Sequence, residues 1–251
     1  MGLLGAVVRL RERHTGVIRW VAAGATHPGR VRERNEDAFR IASGVPLWVV
    51  ADGLGGHRGG ERASRVAVDE VVEAFLKGKG GASARLRKAV EAAHRAVLRD
   101  ADDQPDRQGM GCTLVAAAAA HNLLHVCHAG DVRCYVGQGG ELVAVTRDHS
   151  AVAELGLDPG ELHGHPMRHV VTRAVGVDLA GGPECSTWPL EGVDRILLCT
   201  DGLWSVVPGD VMCGVLYKAP DPQSAADRLV RLANHAGGRD NVTVIVVFRR
   251  G

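Results

Sequence analysis

The sequence predicts a domain in which helices pack against strands, an α/β or α+β fold, on three observations. The chain has 251 residues, 45% of them hydrophobic, enough to bury a sizeable core as one large domain. Two stretches, one opening near Glu61 and one at Ser83, repeat apolar residues at helical spacing. The middle, from GCTLVAAAAAHNLLHVCHAGDVRCYVG into ELVAVT, changes to short apolar runs joined by tight turns, which reads as an antiparallel meander of three or four strands.

Taken in order, residues 1–15 read as an extension to which no element is assigned. A strand is expected from Val17 through VIRWVAAG, and a second at Ala38–Ile41 after the charged turn RERNED. Leu47–Ala51 is rich in β-branched residues and bounded by turn residues, the pattern of a buried strand with Asp52 at its exit. Ala63, Ala67, Val71, Ala74 and Phe75 form the apolar face of the first helix. Leu86, Val90, Ala93 and Val97 form that of the second, with Ser83 as its N-cap and His94 at the boundary of the stripe. Beyond the meander, a short helical piece at Ala151–Leu155 leads into residues 155–170, expected to be an exposed flap. Its histidines, His163, His165 and His169, lack a shared helical register and read as solvated. The apolar run Ile196–Cys199 then ends in Asp201-Gly202. A helix follows from about Asp210, and another has Asp221 as N-cap and Pro222 at its first position. Gly237-Gly238 stops that helix, and Asp240-Asn241 opens a β-rich terminal strand.

Bulk properties exclude several functions. Thirty basic against 29 acidic residues leave a formal charge of +1, and no basic block is interleaved with aromatics, which argues against nucleic acid as the main partner. No apolar run approaches the length of a membrane span, and MGLLGAVVRLRERH has too short an apolar core for a secretory signal, so a cytoplasmic protein with no membrane partner is expected. The six cysteines show no C-x-x-C spacing and mostly lie in apolar runs, so buried free thiols are expected rather than a zinc site. His125 and His128, three apart on a strand, point to opposite faces and make a poor shared metal site.

One chemical theme recurs. Asp52, Asp201 and Asp240 each stand at the rim of an apolar strand, and Asp131 stands in a turn between two more. An unpartnered carboxylate at the end of a core strand is costly, so a cation, hydrogen-bond donors or water are expected beside it. Alone, each Asp-Gly pair reads as an ordinary solvated turn; the repetition points to a shared pocket. Carboxylates with the Gly53 carbonyl and waters are hard oxygen ligands, which select Mg²⁺ or Mn²⁺ over Zn²⁺. Two such ions can activate a bridging water for in-line displacement at phosphorus. Arg32, close in sequence to Glu36 and Asp37, offers a guanidinium fork matched to phosphate oxygens, although a charged hairpin rim would look the same.

The motifs RERNED, VVADGLGGHRGGERAS, GCTL, HAGDVR, DHS, HPMRHVVTRAVG, LLCTDGLW and GGRDNVTVIVV occur in an order that resembles the metal-dependent protein phosphatases, the PPM or type 2C serine/threonine family, in its bacterial form. The resemblance covers residues 17–248. It implies an α+β fold, a four-layer α-β-β-α sandwich of two antiparallel sheets flanked by helices, with residues 16–251 as a single catalytic domain. It implies that Asp52 bridges two Mn²⁺ or Mg²⁺ ions, that Asp201 and Asp240 complete one, and that the Gly53 carbonyl serves the other. Glu36 and Asp37 would hold metal-bound waters, Arg32 would bind the substrate phosphate, and Asp131 with Asp201 would form a weaker third metal site. Residues 148–173 would be the flap that touches protein substrates. Phosphoproteins, as substrates of a cognate Ser/Thr kinase, are the implied partners, and a monomer is expected.

The chain departs from the family pattern in three places. Leu54 stands where animal members carry a histidine proposed as general acid, Cys112 replaces a small hydroxyl residue, and the flap is several residues shorter. The cysteine is expected to be silent and the short flap to alter substrate choice. Two competing readings differ in class. A phosphoprotein-binding pseudophosphatase would need a broken metal set, whereas this set is intact, and a two-metal nuclease would need a basic track.

Overall fold

A computed structural model describes residues 4–8, 19–54, 58–103, 107–155 and 170–250. The flap from 156 to 169, with its three histidines, lies outside the described residues, as does His57. One sheet has six strands in the order β1 (Leu4–Val8), β2 (Arg19–His27), β11 (Val242–Arg250), β10 (Val193–Cys199), β7 (Arg133–Gln138) and β8 (Glu141–Ala144). The other has five: β3 (Ala38–Ile41), β4 (Leu47–Leu54), β5 (Gly111–Ala120), β6 (Leu123–Ala129) and β9 (Glu184–Pro189). All strand pairs are antiparallel.

Alternation along the strands builds the layers. Leu47, Val49 and Ala51 of β4 and Cys112, Leu114 and Ala116 of β5 face the helices α1 (Arg58–Lys77) and α2 (Ala82–Asp102), whose Ala63, Ala67, Val71, Leu86, Val90 and Val97 complete that core. The intervening residues, Trp48 and Val50 with Val115 and Ala117, face the first sheet and meet Ala22, Ile196, Leu198, Ile245 and Val247. The outer face of the first sheet, with Leu197, Val244 and Val246, is covered by α5 (Gly209–Lys218) and α6 (Pro222–His235) through Met212, Leu216, Leu229 and Ala233. The result is the four-layer α-β-β-α sandwich. No helix among the described residues is long and apolar enough to cross a membrane.

Several local expectations need correction. The predicted meander is divided: β5 and β6 belong to one sheet and β7 and β8 to the other, so the chain crosses between sheets at Gly130–Val132. Apolar alternation looks the same in either sheet, which is why the crossing was not visible. Residues 4–8, assigned nothing, add an edge strand to β2, from Leu4 opposite Thr26 to Val8 opposite Ala22. The helix α2 begins after Gly81 with no side-chain cap, so Ser83 lies inside its first turn. Asp221 does cap α6, accepting from the Ser224 amide at 2.9 Å. The free-thiol reading fails for two cysteines: Cys127 of β6 and Cys185 of β9 are direct cross-strand partners and are joined as a disulfide. Cys112, Cys134 and Cys199 are free and buried, and Cys213 is free and half-buried.

A candidate metal-binding active site

The layer between the sheets is apolar along most of its length and turns polar at one end. Asp52 is two residues from the end of β4, directly opposite Thr113 of β5, so both side chains share the face that looks across to the first sheet. The strand therefore runs past Asp52 to Leu54, further than the sequence suggested. Gly53 lies between them, opposite Cys112. From the first sheet, Thr200 at the end of β10 and Thr243 of β11 extend the inward-facing rows of Leu198 and Ile245. The Thr243 hydroxyl bonds that of Thr26 at 2.6 Å, and the Thr200 hydroxyl accepts from the Thr243 amide at 3.0 Å.

Into this polar end the loop before β3 inserts Asp37, which is 7% exposed. The Thr200 hydroxyl donates to its Oδ2 at 3.0 Å, while Oδ1 has no partner. Asp201 is the first residue of the short helix α4 (Asp201–Trp204). The following residue must be glycine, because a Cβ on Gly202 would collide with the Asn241 carbonyl at the start of β11. Asp131 occupies the crossing between sheets and its carbonyl accepts from the Trp204 indole at 3.0 Å. Asp240 ends the turn before β11, where its Oδ1 accepts from the Asn241 amide at 2.9 Å.

The acids lie within one another's fields. Burial first, and then the neighbouring charges of Asp37, Asp201, Asp131 and Asp240, push the Asp52 carboxyl well above the ordinary range. Burial also lifts Asp37 to about 7, with Asp201 and Asp240 adding to the rise and hydrogen bonds from Thr243 and Thr200 opposing it. Asp131 rises to about 7 through burial and the proximity of Asp201. Glu36 is raised mainly by burial, with Arg32 pulling the other way. Asp52, Asp131, Asp201 and Asp240 thus form one cluster of mutually repelling carboxylates together with Asp37. The unpartnered Asp37 Oδ1 and the unpartnered hydroxyl of Thr113, 1% exposed and opposite Asp52 in the sheet, are further buried oxygen atoms at this end. An all-oxygen donor set of this charge fits hard divalent cations.

Arg32 lies at the mouth, its Nη2 2.9 Å from Asp240 Oδ2, with 58% of its side chain exposed. Its loop is pinned by Asn241, whose Nδ2 donates to the carbonyls of Pro28 at 3.0 Å and Arg34 at 2.8 Å, and whose Oδ1 accepts from the Glu36 amide at 2.8 Å. Ser64 of α1 donates to the Glu36 carbonyl at 2.6 Å. Every acid, the glycine and the arginine picked out in the sequence are thus drawn to one end of the sandwich.

The chain matches protein phosphatase 2C over residues 23–232. It belongs to that family. The serine/threonine phosphatase stp of Listeria welshimeri is 36% identical over 239 residues, covering 89% of this chain and 94% of that protein. The serine/threonine protein phosphatase PstP of Mycobacterium tuberculosis is 37% identical over 240 residues, covering 93% of this chain and 45% of the longer relative. A crystal structure of the PstP catalytic domain in complex with two manganese ions superposes with a TM-score of 0.82 at 34% identity, covering 94% of this chain and all of that one. Stp1 of Staphylococcus aureus superposes with a TM-score of 0.85 at 29% identity, covering 96% of this chain and all of that one.

Within this family member, sequence reasoning missed the residues that hold the site in place. Thr113, Thr200 and Thr243 looked like ordinary strand residues, and Asn241 like a turn residue. It also missed a second polar cluster, in which His149 stacks on His128 with ring centroids 4.5 Å apart and its Nε2 lies 3.1 Å from Glu184. Although these three could surround a metal, their hydrogen bonds assign other work. His149 Nδ1 accepts from the Gly130 amide at 3.2 Å, so the neutral ring carries its proton on Nε2 and donates it to Glu184. His128 donates from Nε2 to the Arg147 carbonyl at 2.8 Å. With Arg133 clamping Asp148 at 2.9 and 2.7 Å and lying 3.5 Å over the Trp204 ring, the cluster braces the crossing that carries Asp131.

Proposed function

We infer that the chain is a metal-dependent serine/threonine protein phosphatase, a phosphoric monoester hydrolase acting on phosphoserine and phosphothreonine esters. The observation that carries the reading is the cluster of Asp52, Asp131, Asp201 and Asp240 at one end of the inter-sheet layer in a protein phosphatase 2C fold. Two Mn²⁺ or Mg²⁺ ions, when bound, supply a water acidic enough to attack phosphorus at neutral pH.

The residues divide the work by position. Asp52, on β4, would hold both ions. Asp201 and Asp240, at the ends of adjacent strands β10 and β11, would complete one of them, and the Gly53 carbonyl would serve the other. Glu36 and Asp37 enter from the loop before β3 and would accept hydrogen bonds from waters on the ions, a role that the unpartnered Asp37 Oδ1 suits. Asp131 with Asp201 would hold a weaker third ion. Arg32 binds the phosphate dianion through its fork. Its partner in the structure is Asp240, which lies 2.9 Å from Arg32 Nη2 and holds the guanidinium at the mouth of the site. Leu54 offers no proton, and the leaving alkoxide takes one from water.

Residues 16–251 act as one catalytic domain, with 148–173 as the flap over the substrate. The protein works in the cytoplasm as a monomer on substrates of a cognate Ser/Thr kinase, without nucleic-acid or membrane partners, in keeping with its balanced charge. Phosphate release from a phosphothreonine peptide, followed with Mn²⁺ and with EDTA, tests the assignment. Turnover should require the ion and return when it is restored. Undiminished hydrolysis after exhaustive chelation would overturn the two-ion reading, and absence of hydrolysis with Mn²⁺ bound would favour a phosphoprotein-binding role.

A further inference from the structure

The acidic pocket has a rim of the opposite sign. The turns 28–30 and 238–240 are locked together: the Arg30 amide donates to the Gly238 carbonyl at 2.6 Å, and Gly29, with φ +82°, packs so tightly on the Asp240 carbonyl that no side chain fits there. Four arginines project from these turns and the loop beside them. Arg32 is paired with Asp240. The Arg30 stem lies against Gly238, and that of Arg239 lies against Gly237. Arg34 is exposed and has Glu36 within its field.

Arg30, Arg34 and Arg239 form no ion pair among the described residues. The other acid in this run, Glu33, is exposed and likewise forms none. Two unpaired guanidinium groups on a rigid pair of turns and a third, that of Arg34, on the loop beside them, next to the arginine assigned to the substrate phosphate, make a surface complementary to negative charge on the substrate itself.

We propose that this arginine rim selects phosphopeptides that carry carboxylates beside the phosphoresidue. The proposal rests on the phosphatase reading and deepens it. The pocket supplies the chemistry and is indifferent to sequence; the rim lies outside the pocket, where residues flanking the phosphoresidue would pass. Exposed charge pairs contribute little each and are screened by salt, so the selection is modest and sensitive to ionic strength.

The test uses three phosphothreonine peptides of equal length with Asp, Ala or Lys flanking the phosphoresidue, and p-nitrophenyl phosphate as a substrate without flanks. With Mn²⁺-loaded protein at low salt, kcat/KM should fall from Asp to Ala to Lys by about fivefold per step, and the steps should shrink at about 0.5 M NaCl. The double variant Arg30→Ser, Arg239→Ser, checked for an unchanged thermal midpoint, should flatten the series and leave p-nitrophenyl phosphate hydrolysis as it was. Equal kcat/KM on all three peptides, or a series that survives in the double variant, would overturn the proposal. Loss of p-nitrophenyl phosphate hydrolysis in the double variant alone would also overturn it, whereas no turnover of any substrate by the unaltered Mn²⁺-loaded protein would sink the phosphatase reading and this proposal with it.

Discussion

The two ends of the inter-sheet layer are built by the same strands and do opposite things. At one end Trp48 of β4 meets Trp20 of β2 edge to face, with centroids 6.3 Å apart, among Leu124, Leu190 and Val193. Four residues along the same strand, Asp52 stands among like charges. The first end gains free energy from buried apolar area; the second gives some of it back, because its carboxylates repel one another without an ion. The strand register joins them. A polar residue at an inward position of a rigid strand is held where loops could not hold it, and the apolar end supplies that rigidity.

The contrast is broken most completely by Asp52→Ala. Turnover should fall by more than about a hundredfold, on the scale of losing a main electrostatic group in an active site, and calorimetric Mn²⁺ binding should be lost with it. The metal-free thermal midpoint should hold or rise, since a repelling charge has gone; a sharp fall would show that Asp52 stabilises the fold without metal. Trp48→Ala attacks the other end. It should cost about 3–5 kcal/mol in urea unfolding, the usual range for truncating a buried aromatic residue. The fraction that remains folded should bind Mn²⁺ with its original affinity.

Arg32→Lys keeps the charge and removes the fork. A loss of about 1.5–3 kcal/mol in transition-state stabilisation, the worth of a charged hydrogen bond, is expected from kcat/KM. Mn²⁺ affinity should not fall, and a large drop would place Arg32 among the groups that hold the ions. Asp131→Ala should matter less, leaving the bridged pair occupied. It should slow a phosphopeptide, whose alkoxide needs a proton, more than an activated aryl ester. Equal losses on both substrates would place Asp131 in the main ion pair.

The smallest effect is one of pH on the metal-free protein. Asp37 and Asp131 are shifted up to about 7 in the folded state, and Asp52 also lies well above its ordinary value. The folded chain therefore keeps protons that the unfolded chain releases near pH 4. The stability these groups contribute is greatest below that pH and is lost as pH rises through the folded values near 7. The thermal midpoint of the chelated protein should decline by a few degrees across this window through these groups, and saturating Mn²⁺ should remove the decline. A midpoint that climbs between pH 5 and 7 in the absence of metal would contradict the clustering.

The candidate site was more legible in the sequence than the paths that build it. An aspartate followed by glycine at the end of an apolar run is visible one strand at a time, so Asp52 and Asp201 could be found before any fold was known. Thr113 and Thr200 could not, because a threonine in a strand is ordinary until its register places it beside a carboxylate. The edge strand β9, ECSTWP, escaped notice because edge strands bury little and show a weak pattern. The disulfide had no spacing signal, since strand pairing and not sequence distance brings Cys127 and Cys185 together. The helices α1 and α2 were legible because each buries one continuous stripe, and one stripe is enough to define a period.

The bridge between Cys127 and Cys185, 58 residues apart, turns that part of the chain into a covalent ring. Asp131, the clamp of Arg133 on Asp148, and the whole stretch from 148 to 173 are inside it. A protease that cuts once within the ring produces no separate fragment while the bridge is intact. The nicked protein runs as a single species on a non-reducing gel and as two pieces after reduction, and the two arms left by a cut beyond Asp131 stay joined to the five-stranded sheet, one through Cys127 and the other through Cys185.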